Sequence, residues 1–72
     1  METLDLHGIR HHQVIRKVEE FVLRNDVPLR IITGNSLIMR SLVREVLDGH
    51  GLCGEPESDW NLGSLIIREI LP

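Results

Sequence analysis

Leu4-Asp5-Leu6-His7-Gly8 is the stretch from which the fold of this chain can be read. Leu4 and Leu6 alternate with Asp5 and His7. Successive side chains of a β-strand point to opposite faces. The alternation therefore sends both leucines into a core and stands the acid and the imidazole together on the other face. Gly8 ends the strand, where the backbone turns freely. The pattern predicts a first strand over residues 4–7, with a carboxylate and a histidine on one face at its C-terminal end.

Working outward, residues 9–12 form a turn into a helix over 11–25. Val14, Ile15, Val18, Phe21 and Val22 make one stripe of the 3.6-residue period, with Arg16, Lys17, Glu19, Glu20 and Arg24 opposite. Glu20 and Arg24 are an i,i+4 pair of the favourable order. The helix start lacks a strong N-cap, since Arg10 and His11 are poor at that position. Asn25, Asp26 and Pro28 punctuate its end. Residues 29–33 read as a buried strand carrying β-branched Ile31 and Ile32. Gly34, Asn35 and Ser36 turn the chain, and Ser36 is the expected N-cap of a second helix over 37–48. Its expected apolar face is Ile38, Met39, Leu42, Val43 and Val46, with Gly49 as the residue that stops it. Turn formers dominate 50–63. A final strand over 64–71 directs Leu65, Ile67, Glu69 and Leu71 one way and Ile66, Arg68 and Ile70 the other.

The chain has 72 residues and a 42% apolar share, enough for one small domain, 1–72. The core must be aliphatic, since there is one Phe, one Trp and no Tyr. The single Cys53 cannot form an internal disulfide. With no secretory segment and no run of membrane-spanning length, the expected setting is soluble, intracellular and cytoplasmic, without a membrane partner. One cysteine is also poor support for structural zinc. The net charge of −3 argues against a broad, sequence-independent nucleic-acid surface but leaves room for a local basic patch. Arg10, Arg16, Arg24, Arg30, Arg40, Arg44 and Arg68 outnumber the lone Lys17, and arginine suits bidentate phosphate contacts.

Leu4-Asp5-Leu6-His7-Gly8, the amphipathic helix after it, Ile31-Ile32-Thr33-Gly34 and the second helix together resemble the small MutS-related (Smr) domain. The resemblance spans essentially the whole chain. It continues through Asn61-Leu62-Gly63-Ser64-Leu65-Ile66-Ile67, which is similar to the family's glycine-containing turn and last strand. It implies a short additional strand over 52–57 and the order β-α-β-α-β-β. Right-handed crossovers then make the first two strands parallel and set both helices on one face. The expected fold is α+β: a two-layer sandwich with a mixed four-stranded sheet, as in the C-terminal domain of translation initiation factor three.

Smr domains are described as nucleases that nick DNA or cut RNA, and some bind branched nucleic acid. The resemblance implies an endonuclease, with a non-catalytic nucleic-acid-binding module or a protein-interaction domain as the alternatives. The family's Asp-x-His strand end carries over to Asp5 and His7. Its (His/Thr)-Gly-x-Gly turn carries over to Thr33 and Gly34, but Asn35-Ser36 follows where the family has any residue and then glycine. Loss of that glycine would reshape the turn, with Asn35 and Ser36 supplying side-chain hydrogen bonds in compensation or with weaker binding as the result.

Phosphodiester cleavage needs a nucleophile deprotonated, a leaving oxygen protonated and negative charge stabilised. Histidine titrates near neutrality and can do either proton step, and a carboxylate can take a proton or hold a cation. RNA carries its own 2′-OH nucleophile. DNA needs water, which makes Mg²⁺ or Mn²⁺ more useful, although one carboxylate does not imply a tightly held metal. The competing reading is that Asp5 caps a backbone N–H while His7 packs under the turn. Thr33, Gly34, Asn35 and Ser36, at the start of a helix, are candidate phosphate contacts. Gly8, Arg10 and His11 beside the pair, and Arg40 in the second helix, are further nucleic-acid candidates. Arg40 and Arg44 with Glu45 and Asp48 read more simply as a mosaic of surface charge. His7, His11 and His12 diverge too much to suggest a metal cluster. Trp60 is expected to cover one end of the aromatic-poor core, the other reading being an exposed ring that stacks on an unpaired base.

Overall fold

The computed structural model describes residues 1–70. The elements are β1 (Thr3–Asp5), α1 (His11–Arg24), β2 (Leu29–Ile32), α2 (Leu37–Gly49), β3 (Leu52–Pro56) and β4 (Ser64–Glu69). This is the expected β-α-β-α-β-β order in an α+β fold. The sheet runs β1-β2-β4-β3. β1 and β2 are parallel, with Leu4 opposite Ile31 and Asp5 opposite Ile32. β4 lies antiparallel to both β2 and β3. Val27–Pro28, in the α1–β2 connection, is a cis peptide. Leu71, expected at the end of the last strand, lies outside the described residues, as does Pro72.

One face of the sheet is covered by the helices. Leu6, Leu29, Ile31, Leu65 and Ile67 meet Val14 and Val18 of α1 and Val43 and Leu47 of α2, all fully buried. Each such side chain contributes roughly 1.5–3 kcal/mol by leaving water. Gly54 gives α2 room over β3. A methyl group there would lie 3.0 Å from Ile67 Cδ1 and 3.1 Å from Leu47 Cδ1. On the other face Arg30, Ile32 and Ile66 are only half-buried, so Ile32 is not the core residue that its neighbour Ile31 is.

Four details depart from the sequence reading. The first strand ends at Asp5 instead of residue 7, because Asp5 Oδ1 accepts the backbone N–H of His7 at 2.9 Å and turns the chain. In α1, Ile15 is 40% exposed, at the margin of the stripe formed by Val14 and Val18. In α2 the buried stripe is rotated: Leu47 is buried and Ile38 is 60% exposed. The helix also includes Gly49 and passes through His50 to Gly51, whose φ of +69° is the left-handed conformation a helix stop requires.

The two glycines should therefore respond oppositely to alanine. Gly49 is helical with nothing within 4 Å of an added Cβ, so Gly49→Ala should stabilise by about 0.5–1 kcal/mol. Gly51→Ala should cost about 1–2 kcal/mol. Urea denaturation of both variants checks the sign of each.

Candidate functional site

Parallel pairing of β1 with β2 brings the two βα turns to one end of the sheet. The Leu6 N–H donates to the Ile32 carbonyl at 2.9 Å, the last link between the strands before the turns diverge. Leu6 is fully buried, so it pins the Asp5–Gly8 turn to the core. The Ile9 N–H closes that turn on the Leu6 carbonyl at 3.0 Å, and Gly8 adopts a φ of +76° within it.

Asp5 and His7 are both exposed at this turn, but they do not stand side by side on a strand face. Asp5 Oδ1 holds the backbone of His7, not its ring. Half of the competing sequence reading is thus realised: Asp5 does cap a backbone N–H. The other half is not, since the His7 imidazole is exposed instead of packed under the turn. Asp5 Oδ2 has no partner among the described residues.

The second turn is more enclosed. Thr33 is 3% exposed, and its Oγ1 donates to the Gly34 carbonyl at 3.0 Å, with the Gly63 carbonyl at 3.4 Å. The Thr33 and Gly34 N–H groups donate to the Gly63 carbonyl at 2.7 and 3.0 Å. The two N–H groups are occupied in holding the β3–β4 loop and the hydroxyl chiefly in closing its own turn, which leaves Thr33 and Gly34 as the frame of the turn. Gly34 takes a φ of +66°. Gly63 must be glycine for closeness: a Cβ on it would lie 3.0 Å from the Gly34 Cα, C and O atoms.

Asn35 is exposed, and Ser36 is the N-cap that the sequence predicts, with Oγ accepting the Met39 N–H at 3.1 Å. Ser36 has φ −79° and ψ 117°, an extended backbone open to any residue. The departure from glycine there therefore creates no strain. Its hydroxyl serves its own helix, so the open donors are the N–H groups of the first turn of α2, at Leu37 and Ile38.

The N-terminus of α1 opens at the same end of the sheet. Arg10 occupies the cap position without a side-chain hydrogen bond, as the sequence suggests, and Arg10, His11 and His12 are exposed. Neither helix carries an acid in its first turn. The partial positive charge of two helix N-termini is thus uncompensated by side chains of their own. Arg40, one turn into α2, is half-buried, and its Nε is shielded from solvent without a hydrogen-bond partner. Arg44, one turn further along α2, is exposed, so the two arginines differ in exposure.

Trp60 overturns the favoured sequence reading. It is 93% exposed and covers none of the core. It sits in the β3–β4 loop, on a turn in which the Asn61 N–H donates to the Ser58 carbonyl and hydroxyl at 3.2 and 3.1 Å. Among the described residues no three His, Cys, Asp or Glu side chains converge as a metal-binding set, and no helix is long and apolar enough to cross a membrane. Comparison of the chain with models of protein families, with curated proteins and with solved structures finds no match.

The Gly34–Gly63 contact predicts the behaviour of one variant. Gly63→Ala should cost about 1–3 kcal/mol by overpacking. For a chain this small that lowers Tm by several degrees or more, on the order of 4–8 °C per kcal/mol. Thermal melting by circular dichroism measures it, and an unchanged Tm would show that the Gly34 backbone yields to the added methyl group.

Proposed function

We propose that this chain is a phosphodiester endonuclease of the Smr type, working on nucleic acid at the end of the sheet where the two βα turns meet. One observation carries the reading. The parallel β1–β2 pair gathers the Asp5–His7 turn and the N-termini of both helices at one edge, and neither helix has an acid in its first turn. A phosphate near these N-termini would meet backbone donors and positive potential, with an exposed carboxylate and imidazole within the same group of turns.

In this reading the first turn of α2, with Asn35 and Ser36, holds the phosphate, while Thr33 and Gly34 shape the turn. Gly8, Arg10, His11 and Arg40 contact the strand on either side. His7 moves the proton to or from the reacting oxygen. Asp5 does two jobs: Oδ1 fixes the backbone that presents His7, and Oδ2 is free to take a proton. Asp5 brings a single carboxylate with one oxygen already engaged, so the donors present do not make a resident site for Mg²⁺ or Mn²⁺. Two proton-transfer groups without a fixed cation suit RNA, whose 2′-OH supplies the nucleophile, better than DNA.

A non-catalytic binding module is the second reading. It is favoured by the same Asp5 hydrogen bond, which goes to the His7 backbone and leaves the His7 ring without a carboxylate partner among the described residues.

The test is cleavage of a structured RNA and of supercoiled plasmid, each with Mg²⁺, Mn²⁺ or EDTA. His7→Ala should lower the rate by about 10²-fold or more without lowering Tm. Asp5→Asn should keep the turn, because the amide oxygen can still accept the His7 N–H, yet should lose activity with the carboxylate. An Asp5→Asn protein of full activity would confine Asp5 to shaping the turn. Nucleic-acid binding without cleavage by the unaltered protein would support the binding module, and cleavage confined to the Mg²⁺ and Mn²⁺ arms would assign the reaction to a cation that arrives with the substrate.

A further inference from the structure

Eight large apolar side chains are exposed among the described residues, and four of them lie at the candidate site: Leu37 and Ile38 in the first turn of α2, Trp60 and Leu62 in the β3–β4 loop bonded to the turn before it. Such concentration is not the single scatter that ordinary surfaces show. Trp60 stands out: it is the most exposed of the eight and the only tryptophan in the chain.

We infer that Trp60 is a stacking platform for an unpaired base of the strand whose phosphate is held at the first turn of α2, so that the preferred ligand is single-stranded. This rests on the nucleic-acid reading above and adds to it the class of substrate. Two independent features of the loop support it.

The first is rigidity of spacing. The Gly63 carbonyl accepts the N–H groups of both Thr33 and Gly34, which fastens the Trp60 loop to the turn before α2. The start of the loop is fastened as well. The Glu57 N–H donates to the Ser64 carbonyl at 2.7 Å, and Glu57 Oε1 takes Arg30 Nε at 2.6 Å and Ser64 Oγ at 3.1 Å. In the sheet order β1-β2-β4-β3, the β4 end of the loop lies two strands from β1, about 10 Å by ordinary strand spacing. One nucleic-acid strand can therefore engage both.

The second is the alternation of chemistry. The Trp60 loop is bonded to the turn that leads into the open N–H donors of α2, and Asn61, next to Trp60, helps line a recess of about 290 Å³ with Arg30, Ile32, Glu57 and Ser64. A single strand presents the same alternation of phosphate, flat base and polar base edge. Asp59 next to Trp60 disfavours a phosphate there but not a base. A protein partner would be better matched by a run of apolar residues, whereas Trp60 is flanked in sequence by Asp59 and Asn61, both exposed.

Because Trp60 is the sole tryptophan, its own fluorescence reports the contact. The full chain is titrated in EDTA with oligodeoxythymidylate, with 2′-O-methyl oligouridylate, which lacks the 2′-OH nucleophile, and with a duplex of equal length. Affinity is measured in parallel by anisotropy of labelled strands. Both single strands should quench Trp60 emission and bind more tightly than the duplex. Trp60→Ala should weaken single-strand binding roughly 5- to 150-fold, as loss of one base–aromatic stack does, and Trp60→Phe should keep most of the affinity. At 93% exposure neither change disturbs the core, which an unchanged melting curve confirms. Binding without quenching, and equal in Trp60→Ala, would overturn the platform and leave the nucleic-acid reading standing. Absence of binding by the unaltered protein to any of the three ligands would overturn both. Concentration-dependent self-association lost in Trp60→Ala would assign the ring to a protein contact instead.

Discussion

The carbonyl oxygen of Gly63 accepts the backbone N–H groups of Thr33 and Gly34 and lies within reach of the Thr33 hydroxyl. The approach is close because Gly63 has no side chain: a methyl group would crowd the backbone of Gly34 at 3.0 Å. Three loops are thereby set at fixed separations. The β2–α2 turn is bonded to the β3–β4 loop through this oxygen, and the β1–α1 turn is held by the strand pairing that ends at Leu6 and Ile32. Thr33 is buried between them, its hydrogen-bonding groups directed inward. The surface those loops present therefore rests on a close approach of backbone to backbone, made below the level of any functional side chain.

Charge acts on two length scales here. At a distance the chain is acidic, with a net charge of −3, and would repel a polyanion. Within the roughly 8–10 Å that salt leaves unscreened, local charges govern instead. At the loop end of the sheet those are Arg10, the partly enclosed Arg40 and the N-termini of two helices without acids in their first turns, set against Asp5 and Asp59. Arg30 contributes little, because its guanidinium is committed to Glu57 in a half-exposed pair of the kind worth about 0–1 kcal/mol. Any anion bound here would be held by neutral N–H dipoles and a few arginines, a recognition local enough to coexist with an acidic surface elsewhere.

Hydrophobic period made most of the fold legible. Val14 and Val18, Leu29 and Ile31, and Leu65 and Ile67 repeat at the spacings of helix and strand, and all are buried. The Ser36 cap was legible too, because its chemistry is local. Features decided by tertiary approach were not. Nothing in Ile38 or Leu47 alone says which edge of the α2 stripe meets the sheet; the close approach of Leu47 to Gly54 belongs to another strand and is not written in the helix. Gly49 and Gly51 are equally good helix stops by composition, and only the backbone shows which one turns left-handed. Asp5 and His7 were identified as neighbours, but the early end of β1 made their link a backbone bond. Trp60 was misjudged because an aliphatic core this small closes without it.

The loops at this end of the sheet come from residues 5–10, 33–38 and 57–63, the beginning, middle and end of the described chain. During synthesis the Asp5–His7 turn emerges first but has no strand to lie against until β2 follows. The turn before α2 stays unfastened until Gly63 has left the ribosome, and the sheet lacks its β4 pairing until residue 69. A nascent or truncated chain thus holds the chemically interesting side chains without the arrangement that brings them together. The arrangement at this end of the sheet is therefore complete only after residues 64–69 have been made and paired with β2.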